Sequence, residues 1–166
     1  LGMKTDKRIT AVRESIEMVK RSSADKPLAY HGQVFKVYGF QPKYATDPAP
    51  LVYAGANREK MLRASVAAGD GVMYSDMPRG LVQKMTDTVR EALQAAGRPV
   101  EGYRISNIWA WHFKQDREAA LHEARRELLL RGWLDTWYLE SFLSADESDF
   151  ITQNKGAFYK AYLSRS

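Results

Sequence analysis

The stretch "LVYAGANREKMLRASVAAGDGVMYSD", residues 51–76, decides the fold. A short apolar run, Leu51 to Ala54, reaches Gly55 without polar alternation. Such a run suits a strand of a parallel sheet covered on both faces. Residues 58–68 then read as a helix with Met61, Leu62 and Val66 inward. Gly69-Asp70-Gly71 leads into Val72-Met73-Tyr74, the next short strand. Between the first strand and its helix stands a corner of small residues, Gly55-Ala56-Asn57. It reads either as a tight turn with Asn57 as helix cap, or as a place where backbone N–H groups approach an anion.

The same rhythm continues outward. Residues 78–96 form a helix, with Pro78 in its first turn and Gly97 just past its end. Residues 103–113, "YRISNIWAWHF", read as a third strand. Period two puts Asn107, Trp109, Trp111 and Phe113 on one side, with Ile108, Ala110 and His112 on the other. The tryptophans are expected under outer helices, and His112 is a possible site residue or a packed one. Residues 116–131 read as a helix capped by Asp116, and residues 133–143 as an aromatic-rich helix. Ser144 to Glu147 is a capping-box pattern opening a last helix to about Tyr162.

Before the corner, residues 5–24 form an amphipathic helix with Ile9, Val12, Ile16 and Val19 on one stripe and Thr5 or Asp6 as cap. Within residues 30–40 a short extended arm, Val34 to Tyr38, is bounded by Gly32 and Gly39, and the loop 41–50 holds three of the six prolines. Strands alternating with helices mean parallel βα units, so the fold class is α/β. Three parallel strands cannot close a barrel, and an open sheet of three leaves exposed edges.

Composition narrows the function classes. The chain has 166 residues, the size of a single domain. Its net charge of +5 is interspersed with acidic residues, as in "KTDKR" and "EARRE", so nucleic acid is not the expected partner. Arg117, Arg125, Arg126 and Arg131 do not make one stripe, although "REAALHEARRELLLRGW" is the segment such binding would use. The positive balance favours a phosphate-bearing small molecule. No apolar run approaches the roughly 20 residues of a membrane span, and no signal-like apolar region opens the chain. There is no cysteine, which fits a cytoplasmic location. "HEARR" at 122–126 starts like a zinc-protease helix but has Arg126 in place of the second histidine, so no metal site is expected.

"YHGQVFKV", the 51–76 stretch and "VREALQAAGRP" together resemble the luciferase-like monooxygenase superfamily. They are most similar to its deazaflavin-dependent branch, typified by methylene-tetrahydromethanopterin reductase. The resemblance covers about residues 5–125 and weakens over 126–166. It implies a (β/α)8 TIM barrel of which this chain matches the C-terminal portion: three parallel strands with their helices, plus C-terminal helices. It also implies one domain over 1–166, barrel-like over 5–125, that represents part of a longer enzyme.

The implied activity is hydride transfer between coenzyme F-420, alternatively FMN, and a small organic substrate. In such barrels phosphates bind late βα loops at helix N-termini. The resemblance thus makes Gly55, Ala56 and Asn57 a cofactor-phosphate corner. Lys60, one turn into the helix, adds a charge. Tyr74, at the exit of the next strand, and Arg79, after it, are the further cofactor-binding candidates. No catalytic residue is assigned. The alternative is a non-catalytic half-barrel module that binds or self-associates through its sheet edges and aromatic tail. In either case a homo-oligomer, such as a dimer, is expected.

Overall fold

The computed structural model describes residues 6–23, 26–43, 45–130 and 135–163. The described chain forms two compact units. One runs to Met77 and resumes at Val82–Ile108; the other comprises Pro78–Leu81 and the residues from Trp109 onward.

The first unit opens with α1, Arg8–Ser22. A hairpin follows: β1, Leu28–His31, pairs antiparallel with β2, Lys36–Phe40. Then come β3 (Tyr53–Gly55), α2 (Glu59–Ala68), β4 (Gly71–Ser75), α3 (Arg79–Ala95) and β5 (Arg104–Ile108). The three later strands make one parallel sheet in the order β3-β4-β5. Tyr53 stands opposite Gly71, and Gly71 opposite Arg104. The parallel βα reading therefore holds.

The sheet buries one face. Ala54, Val72 and Tyr74 are buried, and so are Leu62 and Val66 of α2 and Val89 and Leu93 of α3. Burying each valine or leucine side chain among these contributes about 1.5–3 kcal/mol. The alternate residues Gly55, Ser75, Ser106 and Ile108 are exposed. The arm expected over 30–40 is this hairpin, and Gly39 has the φ of +72° that glycine tolerates.

Two sequence motifs act as structural clips. Asp70 accepts from the Val52 N–H at 3.0 Å and from Lys20 Nζ at 2.6 Å, joining α1 to the lower edge of the sheet. Burial would raise its pKa, but the Lys20 ammonium and the Val52 N–H hold it below the usual carboxylate value. Gly97, at φ +64°, ends α3, after which the Arg98 N–H returns to the Leu93 carbonyl at 2.9 Å. The Arg98 guanidinium donates to the carbonyls of Val66 and Gly69 at the end of α2.

The structure corrects several expectations. The α1 stripe is only partly inward: Ile16 is buried, while Ile9 and Val19 are 40% and 50% exposed. The buried companion of Ile16 is Glu14, 2% exposed. Glu14 accepts the backbone N–H groups of Gln33, Val34 and Phe35 at 2.7, 3.0 and 3.0 Å, so the hairpin turn needs it inward. Thr5 lies outside the described residues, and the position before α1 is Lys7, without a side-chain cap. The third strand stops at Ile108 rather than 113. Trp109, Trp111 and Phe113 are 49%, 72% and 82% exposed, not covered by helices, because no ladder continues the alternation past Ile108.

In the second unit α4 is Arg117–Leu130, α5 Thr136–Leu139, α6 Ala145–Gln153 and α7 Lys155–Leu163. Asp116 caps α4, accepting from the Ala119 N–H at 2.7 Å. The capping box of Ser144 and Glu147 opens α6. The single last helix is interrupted at Asn154, which stands between α6 and α7. The helix expected over 133–143 is a single turn, α5; residues 133 and 134 lie outside the described residues. Its Tyr138 and Leu139 are buried.

Candidate functional site

The corner is built at the C-terminal end of β3. Gly55 is the last residue of the strand, on the sheet's exposed face. A Cβ placed there would meet no atom within 4 Å. The Ala56 N–H donates to the Met73 carbonyl at 3.1 Å and extends the β3–β4 ladder by one step. Asn57 then turns its side chain sideways. Its Nδ2 donates to the Ser75 carbonyl at 2.8 Å, and its Oδ1 accepts from the Ser75 N–H at 2.9 Å. A side-chain amide thereby replaces one rung of peptide pairing.

This corrects the reading of Asn57 as a helix cap. The N-cap of α2 is Arg58, in extended conformation, and no side chain caps the helix. The Arg58 side chain therefore caps none of the first-turn amides of α2, which carry the positive end of the helix dipole. Lys60 is exposed in that first turn. The acidic neighbour Glu59 is drawn along the helix by Arg63, whose Nε lies 3.0 Å from Glu59 Oε1. Arg63 also reaches Glu91 at 3.0 Å; the Glu91 and Glu59 carboxylates raise its pKa.

The exit of β4 repeats the device. Asn107 Oδ1 accepts from the Met77 N–H at 3.2 Å, and its Nδ2 donates to the Met77 carbonyl at 3.1 Å. Between these clips Asp76 takes a φ of 49°, and its N–H donates to the Ile108 carbonyl at 2.7 Å. The sequence reading placed Asn107 on one face of its strand and gave it no role. The available signal was an asparagine inside a strand, where that residue is depleted.

Tyr74 is not at the mouth. Its side chain is 1% exposed, because alternation along β4 turns it to the helix-covered face while Met73 and Ser75 take the open one. Burial raises its pKa. Arg79 is the exposed first residue of α3 and belongs to the other compact unit. The structure thus gathers Gly55, Ala56, Asn57 and Lys60 with Ser75 and the α2 N-terminus. In the second unit, His112 Nδ1 lies 3.2 Å from Glu123 Oε1, and Lys114 Nζ lies 2.6 Å from Oε2. Lys114 and then His112 lower the Glu123 pKa, and His112 is held as a packed residue. Among the described residues no cluster of His, Cys, Asp or Glu is arranged to hold a metal, and no helix is long and apolar enough to cross a membrane.

In α/β barrels, phosphates frequently bind late βα loops at a helix N-terminus. The sequence profile of the luciferase-like monooxygenases matches residues 1–163. The chain belongs to that family.

Within it, the 5,10-methylenetetrahydromethanopterin reductase of Archaeoglobus fulgidus is 24% identical over 125 residues, covering 75% of this chain and 37% of the reductase. Among solved structures, the coenzyme F-420-dependent tetrahydromethanopterin reductase of Methanopyrus kandleri superposes with a TM-score of 0.75 at 17% identity. That match covers 95% of this chain and 47% of the other. An F-420-dependent secondary alcohol dehydrogenase, solved with an F-420–acetone adduct, gives a TM-score of 0.58 at 17% identity, over 78% of this chain and 38% of its own. The luciferase-like chain spans less than half the length of each of these relatives. The likeness establishes the fold: the parallel sheet and its helices are part of a TIM-barrel-like architecture.

Proposed function

We propose that this chain carries the phosphate-binding end of an F-420 site in an oxidoreductase acting on a small organic substrate. The observation that carries the reading is the open corner at Gly55. Its donor set fits a phosphate: a glycine with free space above it, first-turn amides of α2 that no N-cap side chain takes up, and the Lys60 ammonium one turn in. Ala56 and Asn57 hold the corner's shape through Met73 and Ser75. The F-420-dependent proteins of similar structure support F-420 over FMN. When bound, that cofactor supplies hydride chemistry, while the protein supplies position and charge. Tyr74, buried on the helix-covered face, is not part of this donor set. No catalytic residue is assigned.

The lack of cysteine supports a cytoplasmic setting. Self-association is supported by the outer edges of β3 and β5, which pair with no strand among the described residues, and by Ile108 at 53% exposure.

Fluorescence titration of F-420 into the protein, with and without inorganic phosphate, tests the proposal. Saturable binding that phosphate weakens is expected. The absence of saturable binding, or binding indifferent to phosphate, contradicts it; tighter binding of FMN than of F-420 contradicts the choice of cofactor.

A further inference from the structure

From a second feature of the first unit we infer a binding groove for a small, multiply charged anion between the first turns of α1 and α2. The two helices run side by side in the same direction. At one end Lys20, in the last turn of α1, donates to the Ala68 carbonyl at the end of α2 at 3.4 Å. Their N-termini therefore share the other end, and there a groove of about 770 Å³ opens. It is lined by Lys7, Arg8, Arg58, Lys60 and Met61, with Asp6 as the one acidic residue on its wall.

Lys7, Arg8 and Lys60 thus bring three cations to the groove, beside Arg58 and the single carboxylate of Asp6. Lys7, Arg8 and Lys60 have no ionic partner among the described residues, although most other cations of this unit's helices are paired. A chain of ordinary surface helices disperses its charge in pairs such as Arg63 with Glu59. Here like charges converge on a concavity, and an anion bound there would relieve their mutual repulsion. Neither α1 nor α2 has a side-chain cap, so both helix dipoles add positive potential to the same space. The volume exceeds that of a single phosphate and suits a ligand carrying two or more phosphate or carboxylate groups. Lys60 is shared with the Gly55 corner, but Lys7 and Arg8 lie outside it, and the groove is argued without reference to the cofactor.

Isothermal titration calorimetry of the 166-residue chain with inorganic pyrophosphate and, separately, citrate tests this. Saturable one-to-one binding of at least one is expected, weakening with salt, and whichever binds more tightly assigns phosphate or carboxylate chemistry. The Lys7→Gln/Arg8→Gln variant should weaken that binding about tenfold or more. A control with the same charge change elsewhere, Lys36→Gln/Lys43→Gln, should leave it within about twofold. All four positions are exposed, so the variants should keep the parent's thermal unfolding midpoint. No saturable binding of either anion, or equal weakening in both variants, overturns the inference.

Discussion

Asn57 and Ser75 are joined by a pair of hydrogen bonds that closes the mouth of the β3–β4 pair, one given and one received by the Asn57 amide. The residue expected to cap a helix instead locks two strand exits together. Asn57→Ala removes both bonds and leaves the Ser75 peptide to water. The expected loss is about 1–3 kcal/mol of stability, read as a lower denaturant midpoint at unchanged slope. Faster amide exchange at Ser75 should accompany it. A midpoint equal to the parent's would mean that the pair contributes nothing. Asn107→Ala should act in the same way through Met77.

Gly55 separates ligand binding from folding. Because nothing lies within 4 Å of an added Cβ, Gly55→Ala should change stability by less than about 0.5 kcal/mol. Gly55→Asp should fold equally well by circular dichroism, yet abolish F-420 binding by placing a carboxylate where the phosphate would sit. Retained affinity in Gly55→Asp would remove the corner from the site.

Asp70 ties α1 to the sheet. Asp70→Asn keeps the shape but weakens both the Lys20 contact and the bond from Val52. The expected cost is about 1–2 kcal/mol, since Asp70 is partly screened and Lys20 half-exposed. Lys20→Met should cost less, because the Val52 bond remains. A larger loss in Lys20→Met than in Asp70→Asn would reverse this assignment.

Gly32 is fixed by the carboxylate beneath it. An added Cβ would overlap the Glu14 carboxyl group, so Gly32→Ala should undock the hairpin turn. Burial would raise the Glu14 pKa, but the N–H groups of Phe35, Gln33 and Val34 outweigh it and hold the pKa below the ordinary value. Amide exchange at residues 33–35 should quicken in both Gly32→Ala and Glu14→Gln. Protection unchanged in Glu14→Gln would show that the turn stands without its carboxylate.

The pH dependence follows from the same two carboxylates. Glu14 and Asp70 both have depressed pKa values in the folded protein. Between folded and unfolded values, the unfolded chain binds the extra protons, so stability rises with pH there. Their contribution is complete above the ordinary carboxylate range, about pH 5, and is lost as pH falls through the lower folded values. Glu14→Gln/Asp70→Asn should flatten the acid limb of a stability–pH profile. A limb as steep as the parent's would assign acid sensitivity to other groups.

The βα order was legible because apolar runs, Gly and Pro punctuation and the Ser144–Glu147 box are local signals. The small-residue corner was legible for the same reason: glycine at a strand end leaves a mark in sequence. What the side chains of Asn57, Asn107 and Glu14 do was not legible. Each bonds to backbone 18 to 30 positions away, and only the folded register brings those partners together. Tyr74 was misplaced because its strand extends from Gly71 to Ser75, and the alternation that turns it toward the helices is hidden in an all-apolar run. The tryptophans misled for the converse reason: "WAWHF" alternates like a strand but has no ladder to join.

The most direct test is the visible absorption spectrum of the protein after soaking with F-420 and desalting, with Gly55→Asp treated in parallel. The account predicts a retained deazaflavin band in the parent and none in Gly55→Asp. No retained band in the parent, or equal bands in both, would contradict a cofactor site at the Gly55 corner.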